Sequence, residues 1–599
     1  MRKTILVFLL TLFILTAYSQ KKFDVIVVGA NPGGITSAIA AAKLGKKVLV
    51  LERTNHIGGL PANGLGATDI DTRGATTGLF LEFVQRIKAY YVQTYGEGSQ
   101  QVKDSSDGYH FEPSVAEKVF LAMIGEQPNI TVLKRRQFDA SGENIVVERA
   151  VVKSIRVTNR DSKKIEQYTA AVFIDGTYEG DLAAAAGIPF SVGREGKRQY
   201  NEIGAGKIYK FWDGPVIDSL TTHEADTAIQ AYNYRVNLTK LAVKKVPFLK
   251  PVKYDRSEYV SLIADISENR QQAVGAMKTG IDVIVNSVVI PNGKVDANNQ
   301  HAALISTDLP EENYRWPKAD WAWRDDFALR LRSYIQGLLY FAANDKALPA
   351  DFRARVNEWG LANDEYKDNG NFPRQVYVRE GRRIIGRHIF TANDALPVKG
   401  EERPPIYKRS ISAGHYSLDS HATLKREEGK PVLEGFLSYK TKPYTMPLEV
   451  MYADKIKNVL CPVPVSGTHI GFSTLRMEPC WMALGQAAGV TAALMQRDNV
   501  AAKDVPILEV QKILLQQKAT LIYFEDVSIK DPDFAMSQLL GLNGYLPGFK
   551  AKLDDTIDTE TVSKWEQLSG LKLPLNVKAS TRRAVLKQIY NKQMERNRL

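Results

Sequence analysis

An unbroken apolar run, Asp24-Val25-Ile26-Val27-Val28, stops at Gly29, passes through Ala30-Asn31-Pro32-Gly33-Gly34 and enters the small-residue segment Ile35 to Leu44. A strand without polar alternation is one buried on both faces, which places it inside a parallel sheet covered by helices. Gly45 closes the helical stretch, and a second buried strand, Lys47 to Leu51, ends on Glu52. The order strand, glycine turn, helix, strand, acid is a βαβ unit of the dinucleotide-binding kind. In such a unit Gly29 permits the tight turn and Gly34 lets helix and strand approach, while free amides at the helix start attract a pyrophosphate. Glu52, at the end of the second strand, is placed for ribose hydroxyls. Asn31 stands where the usual G-x-G-x-x-G pattern has its middle glycine, so its backbone must come close to phosphate without glycine's freedom. Asparagine's tolerance of left-handed conformations keeps the turn feasible. The alternative, a unit retained only as scaffold, stays open on these residues alone.

A chain of 599 residues has room for several cores, roughly two to four domains. With 44% hydrophobic and 24% charged residues it is an ordinary globular chain and not a disordered one. Its first residues differ from the rest. Arg2 and Lys3 precede an apolar run from Ile5 to Leu15, followed by Ala17-Tyr18-Ser19. That pattern is a Sec-type signal peptide over residues 1–19, and it predicts a periplasmic or secreted mature protein. The run is shorter than the about 20 residues of a membrane helix, so no membrane span is expected. The formal charge is +12, but the basic residues form no run or stripe, which argues against a nucleic-acid partner. Two cysteines, Cys461 and Cys480, are too few for a disulfide scaffold. Buried thiols and a single disulfide are both compatible with them.

The residues after the second strand narrow the ligand. Glu52-Arg53-Thr54-Asn55-His56-Ile57-Gly58-Gly59, with Leu60 next, resembles the E-x(n)-GG extension of flavoproteins with two dinucleotide-binding folds. The resemblance implies FAD, with Gly58, Gly59 and Leu60 beside its diphosphate and ring and Arg53 beside the ribose acid. Distant segments resemble a single family, the secreted bacterial FAD-dependent oxidoreductases, some members of which carry a xanthan lyase label. They include Val172 to Arg194, where Asp175-Gly176-Thr177 returns the chain to the FAD domain and Tyr178 stands at a family glycine. They continue with Gly293 to Asp296, Trp359 to Leu361, Tyr377 to Arg383, His415 to His421, Tyr444 to Pro447 and Ser466 to Gly489. In the last of these, Ser-Gly-Thr-His-Ile-Gly-Phe-Ser-Thr-Leu-Arg-Met-Glu-Pro leads into an apolar helix from Cys480 to Met495. The resemblance implies that this helix points its positive end at the pyrimidine side of the flavin. It also makes the loop residues Gly471, Phe472, Ser473 and Thr474 flavin contacts.

Flavin chemistry requires one base for the proton that accompanies hydride removal. Histidine suits that role near neutral pH. His469 directly precedes the expected flavin loop, and His421 follows Asp419 by two residues, on one face of an extended segment. Arg382, Arg383 and Arg476 offer forked donors to a carboxylate or sugar acid, or equally to nearby Glu380 and Glu478. Trp316, Trp321 and Trp323 suit sugar stacking or a core. No HExxH, P-loop or EF-hand pattern is present, so no metal is expected.

The expected fold class is α/β: a discontinuous Rossmann-like FAD-binding domain of the glutathione-reductase type, an inserted α+β substrate or cap domain, and a small helical C-terminal region. The expected bounds are 22–195 and 451–504 for the FAD domain, 196–450 for the cap and 505–599 for the C-terminal region. Within the last, the Gly541-Leu542-Asn543-Gly544-Tyr545 turn and the Asp558 helix start resemble half of an S-layer-homology repeat, more consistent with packing on the catalytic body than with attachment. The expected activity is hydride transfer to flavin N5 from an alcohol or amine carbon of a small, carbohydrate-derived substrate, with an electron acceptor that no motif identifies. Two alternatives accompany it: a polysaccharide lyase, as in the family label, and a non-catalytic surface-binding protein that keeps the fold.

Overall fold

The computed structural model describes residues 22–573 and 580–595. The expected signal peptide, residues 1–19, lies outside the described residues. Strand β1 (Lys22–Val28) is central, and Val25, Ile26 and Val27 are fully buried. Helix α1 (Pro32–Lys43) follows, and β2 (Val48–Leu51) returns parallel to β1. Strand β3 (Ile130–Leu133) adds on the far side of β2. Two short strands, β4 (Arg136–Gln137) and β5 (Ile145–Glu148), both pair antiparallel with β6 (Val151–Asn159), which in turn pairs antiparallel with β7 (Ile165–Asp175). β7 runs parallel to β1, and its first half carries β6 while its last residues pair with Val459–Leu460, also in parallel. A strand some three hundred residues downstream thus completes the sheet. The dinucleotide fold is built from two separated pieces of chain.

The helix Glu478–Asp498 follows that last strand and crosses α1 at close range. Glycine makes the approach possible: a Cβ on Gly485 would overlap the Gly33 carbonyl oxygen, and one on Gly489 would overlap that of Ser37. Thr36 Oγ1 donates to the Met482 carbonyl across the crossing (2.8 Å). Both helices therefore begin at the same edge of the sheet.

The inserted part contains a five-stranded antiparallel sheet that includes Val236–Thr239, Lys294–Asn299 and Gly360–Ala362. A long helix, Trp321–Asn344, packs with it, its start capped by Asp320 Oδ1 accepting from the Trp323 amide (2.9 Å). The segment after Gly59 joins the two parts. Gly64 (φ +127°) lies against the Arg235 carbonyl, and the Gly66 amide donates to Asp296 Oδ2 (2.9 Å). The C-terminal helices pack on the body through Ser410 Oγ to the Leu521 carbonyl (2.8 Å) and Ala413 N to the Thr520 carbonyl (2.9 Å).

Two local expectations are corrected, and between the two roles open to the tryptophans packing is found for two of them. The first helix starts at Pro32 and not at Ile35, because Asn31 caps it and proline is tolerated in a first turn. The segment expected as a flavin loop is instead a short buried helix, His469–Leu475, capped by Thr468. Trp316 and Trp321 are not free platforms. Trp316 is buried, and the Trp321 ring lies between the guanidinium groups of Arg53 (3.9 Å) and Arg324 (4.7 Å). Cys461 and Cys480 are buried free thiols. Among the described residues no helix is long and apolar enough to cross a membrane.

Candidate active site

A cleft of about 910 Å³, open to solvent at its mouth, lies at the carboxyl ends of β1, β2 and β7. Gly29, Asn31, Glu52, Arg53, Gly59, Gly176 and Thr177 line one end of it. Gly29 takes φ +96°, closed to most side chains, and any Cβ there would come within 2.6 Å of the Gly176 carbonyl oxygen. Gly34 has the packing role expected of it, since a Cβ would overlap the Gly29 carbonyl oxygen. Gly33 packs against Val463 and the Trp481 carbonyl.

Asn31 departs from expectation in conformation. Its backbone is extended (φ −77°, ψ 173°), so no left-handed turn is required, and its Oδ1 accepts from the Gly34 amide (3.0 Å). Since Pro32 carries no N–H and Gly34 is capped, fewer amides face a ligand here than a glycine turn would offer. Glu52 closes this end: Oε2 accepts from the Ala30 amide (3.0 Å) and Oε1 from Thr54 N (2.7 Å), leaving further lone pairs for ribose hydroxyls. Arg53 reaches Asp325 (2.6 Å) and Gln137 (3.1 Å). Asp175 does not border the cleft. Its carboxylate accepts from Thr177 N, Thr177 Oγ1 and Ala183 N, which shapes the turn, and burial pushes its pKa up to about 6.

Gly58 (φ +97°) and Gly59 (φ +53°) bring the next segment across the α1 start. Gly59 must be glycine because Tyr178 and Asn31 crowd the position of a Cβ. Tyr178, the departure from the family glycine, fills this place: its hydroxyl donates to Glu478 Oε1 (2.6 Å) and accepts from the Leu60 amide (3.0 Å). Glu478 opens the long helix, and burial pushes its pKa up to about 8. The four residues expected as flavin contacts have other partners. Gly471 packs on the Phe390 carbonyl, Phe472 lies near Trp481, Ser473 Oγ accepts from the Asp419 amide (3.0 Å), and Thr474 Oγ1 donates to the Tyr416 carbonyl (2.7 Å). None of them borders the cleft; two of them hold the 416–419 segment in place.

The other end of the cleft is lined by Tyr234, Val376 and Val378. Extended chain alternates its side chains, so Tyr377 and Arg379 face the opposite way, into a buried polar cluster. There Arg379 Nη1 donates to Asp308 Oδ1 (2.8 Å) and the Tyr377 hydroxyl accepts from Arg476 (2.7 Å). His421 sits between two carboxylates, with Nδ1 at 2.8 Å from Asp308 Oδ2 and Nε2 at 3.5 Å from Asp419 Oδ2. Arg476 bonds Asp419 as well (3.1 Å). Burial would raise the Asp419 carboxyl, but His421 and Arg476 outweigh it and hold it well below the usual carboxylate range. Arg379 and His421 do the same for Asp308 against its burial. Within this cluster Asp419 Oδ1, Arg379 Nε, Arg476 Nε and Asn299 Nδ2 are buried without a protein partner. Buried polar groups are seldom left unpaired unless something else binds there.

The other expected catalytic residues are placed elsewhere. His469 Nδ1 faces Glu380 (2.8 Å) and Nε2 meets Ser420 Oγ (2.9 Å). Burial, then Arg383 and Arg194, lower its pKa to about 3, which favours the neutral ring. Arg382 donates to Asp181 (2.7 Å) and Arg383 is paired with Glu380 and Glu195, so neither is free for a substrate carboxylate. Asp308 and Arg379 were not singled out from the sequence. The signal was the alternation in Tyr377-Val378-Arg379, legible only once an extended segment is known to separate the cleft from the buried cluster.

The glycine cradle formed by Gly29 and Gly176, the carboxylate ending β2 and two helices starting at one sheet edge fit a dinucleotide whose diphosphate lies over α1. Fold and site together define a flavoprotein whose dinucleotide-binding sheet is built from two pieces of chain with a second, antiparallel sheet in the chain between them. The chain belongs to the FAD dependent oxidoreductase family, whose sequence model matches residues 24–514. FAD is its cofactor. Among curated proteins it is similar to the tRNA uridine 5-carboxymethylaminomethyl modification enzyme MnmG of Exiguobacterium sibiricum, 23% identical over 49% of this chain and 51% of that one. The same enzyme of Lactobacillus johnsonii is 28% identical over 24% of this chain and 23% of its own. The match thus spans at most about half the length of these relatives. Among solved structures, the glycerol-3-phosphate dehydrogenase from Bacillus halodurans complexed with FAD is 9% identical over 28% of this chain and 37% of that chain, with a TM-score of 0.20.

Proposed function

We propose that this oxidoreductase, exported from the cytoplasm, oxidises an alcohol or amine carbon of a small carbohydrate-derived substrate. Export is supported by the Arg2-Lys3 start, the apolar run to Leu15 and the small residues before Gln20. The chemistry is supported above all by His421 held between Asp308 and Asp419 in a cluster with unmet hydrogen bonds. When bound, FAD supplies the acceptor for a hydride from the substrate carbon. The chain supplies the rest. The 2.8 Å contact assigns the Nδ1 proton of His421 to Asp308, which fixes ring and tautomer. Nε2, with only a long contact to Asp419, keeps its lone pair for the substrate hydroxyl or ammonium proton. The imidazolium so formed is stabilised by both carboxylates, while Arg476, which also donates to the Tyr377 hydroxyl, holds Asp419 in place.

A lyase also needs a base, but it has no use for a dinucleotide fold, and family membership does not favour it. Anaerobic addition of sugars, sugar acids and amines to the purified holoprotein tests the reading. Bleaching of the flavin by an alcohol- or amine-bearing member, slowed about 100-fold or more in His421→Ala, is expected. A panel that leaves the flavin oxidised, or an unaltered rate in His421→Ala, would contradict it.

A further inference from the structure

Between Thr239 and Tyr254 the chain carries Lys240, Lys244, Lys245, Lys250 and Lys253 and no acidic residue. The segment forms one edge of the five-stranded sheet, where Lys245–Val246 pairs with the strand Gly360–Ala362. Leu241, Val243, Leu249 and Val252 in this segment all face solvent, Val243 87% and Leu249 71% exposed and Val252 entirely so. A single exposed aliphatic is ordinary, whereas several gathered in one segment mark an interaction surface.

That exposure is held in place. Pro247 and Pro251 fix the backbone on either side of Leu249. Phe248 is buried, and Tyr254 stacks on Tyr259 (5.8 Å) and meets Tyr340 edge-on (5.4 Å). With Phe248 and Tyr254 anchored in the core, Leu249 and Val252 are left outside it.

The lysines divide into paired and unpaired. Lys240 is paired with Glu358 (2.6 Å) and Lys244 with Asp364 (2.9 Å). Lys245 Nζ donates to the Asn357 and Glu358 carbonyls (2.8 and 3.2 Å), and Lys250 lies over the Tyr254 ring (5.0 Å). Of the next acids along the chain, Asp255 accepts from Ser257, and Asp345 is paired with Arg256 (2.6 Å). Among the described residues Lys245, Lys250 and Lys253 have no carboxylate partner, so the segment keeps a positive surplus beside its aliphatic side chains.

This composition selects the partner. Protein interfaces favour aromatic residues and arginine and are poor in lysine. Here the exposed apolar side chains are all aliphatic and the unpaired cations all lysine. A second copy of the chain would bring the same positive charge against itself. A bilayer with anionic headgroups meets both halves of the pattern: the aliphatics enter the boundary between headgroups and acyl chains, and the long lysine stems keep their ammonium groups among the phosphates.

We infer that the 240–253 segment docks the protein peripherally on a lipid surface bearing anionic headgroups. The inference does not depend on which carbon the enzyme oxidises. To test it, the mature holoprotein is mixed with vesicles of phosphatidylcholine alone or with about one third phosphatidylglycerol, and the share that sediments with lipid is measured. Binding to the anionic vesicles should exceed binding to the neutral ones by roughly tenfold or more and should fall on added salt. Lys250→Ala with Lys253→Ala should weaken it roughly twentyfold, each lysine at an anionic surface being worth a factor of about five. Leu249→Ser with Val252→Ser should weaken it roughly tenfold or more. All four side chains are exposed, so flavin content and urea unfolding of both variants should match the natural chain. No preference for anionic vesicles, or docking unchanged in either double variant, overturns the inference. So does a dimer of the vesicle-free protein that Leu249→Ser with Val252→Ser dissolves, which would make the segment a contact between copies of this chain.

Discussion

Replacing Asn31 separates its two roles, capping α1 and bordering the cofactor cleft. In Asn31→Ala the 3.0 Å bond from the Gly34 amide to Oδ1 is lost in a buried place, 5% exposed, where water replaces it poorly. Loss of such a cap costs about 1 kcal/mol, up to about 2. Pro32 cannot donate, so the helix start has no second amide to offer in compensation. If the cost falls on the form that binds FAD, affinity drops roughly fivefold for about 1 kcal/mol. In Asn31→Gly the cap loss is only a few tenths of a kcal/mol. The Gly34 amide is released in both variants, so the two differ by the size of the cap loss. Asn31→Gly should therefore retain FAD nearly as well as the natural chain. The assay is fluorescence titration of FAD into apoprotein for the three chains, with urea unfolding of each. Loss of flavin in Asn31→Gly, or equal weakening in the glycine and alanine variants, would refute the assignment of Asn31 as a cap beside the diphosphate.

Gly485→Val should push the long helix off α1 through overlap with the Gly33 carbonyl, costing about 1–3 kcal/mol or more in urea unfolding and releasing FAD; a stable, flavin-loaded variant would contradict the close crossing. Arg324→Ala should be strongly destabilising, by about 3–5 kcal/mol, because Asp181 would lose a bidentate partner (2.6 and 2.9 Å) while both groups are buried; near-natural stability would show that Arg382 alone suffices. Glu478 links stability to pH. Its pKa is raised from 4.5 to about 8, so the folded state binds the proton more tightly; the stability it contributes is full below about pH 4.5 and is lost as pH rises toward 8. Glu478→Gln, which mimics the protonated form, should flatten that decline, and an unchanged pH profile of unfolding would count against a buried neutral Glu478.

The parts legible in the sequence are those fixed by local periodicity and by glycine. An apolar strand ending at Gly29, a helix of small residues and Glu52 at the end of the next strand identify the βαβ unit because each constraint acts within a few residues. The return of the chain near Asp175 and at Val459 was legible from the resemblance and the same buried-strand signal. Partner choice among buried charges was not. Arg382, Arg383 and Arg476 read alike in sequence, yet the first two are paired with Asp181 and with Glu380 and Glu195, while Arg476 holds Asp419. Those pairings depend on which loops meet across the two domains. Asn31 shows the same limit at short range: its identity suggested a left-handed turn, and its side chain instead caps the helix it precedes. His469 and His421 are both buried near carboxylates, and only the charges around them differ: Arg383 and Arg194 act on His469, while Asp308 and Asp419 flank His421.

The most direct test is the visible absorption spectrum of the purified mature chain, recorded with its cofactor stoichiometry. Oxidised-flavin bands and one FAD per chain are expected, bound between Gly29, Glu52 and Gly59 and lost in Gly29→Val, whose side chain the φ of +96° and the Gly176 carbonyl forbid. A chain that shows no flavin bands as purified and takes up none when FAD is added would contradict that expectation.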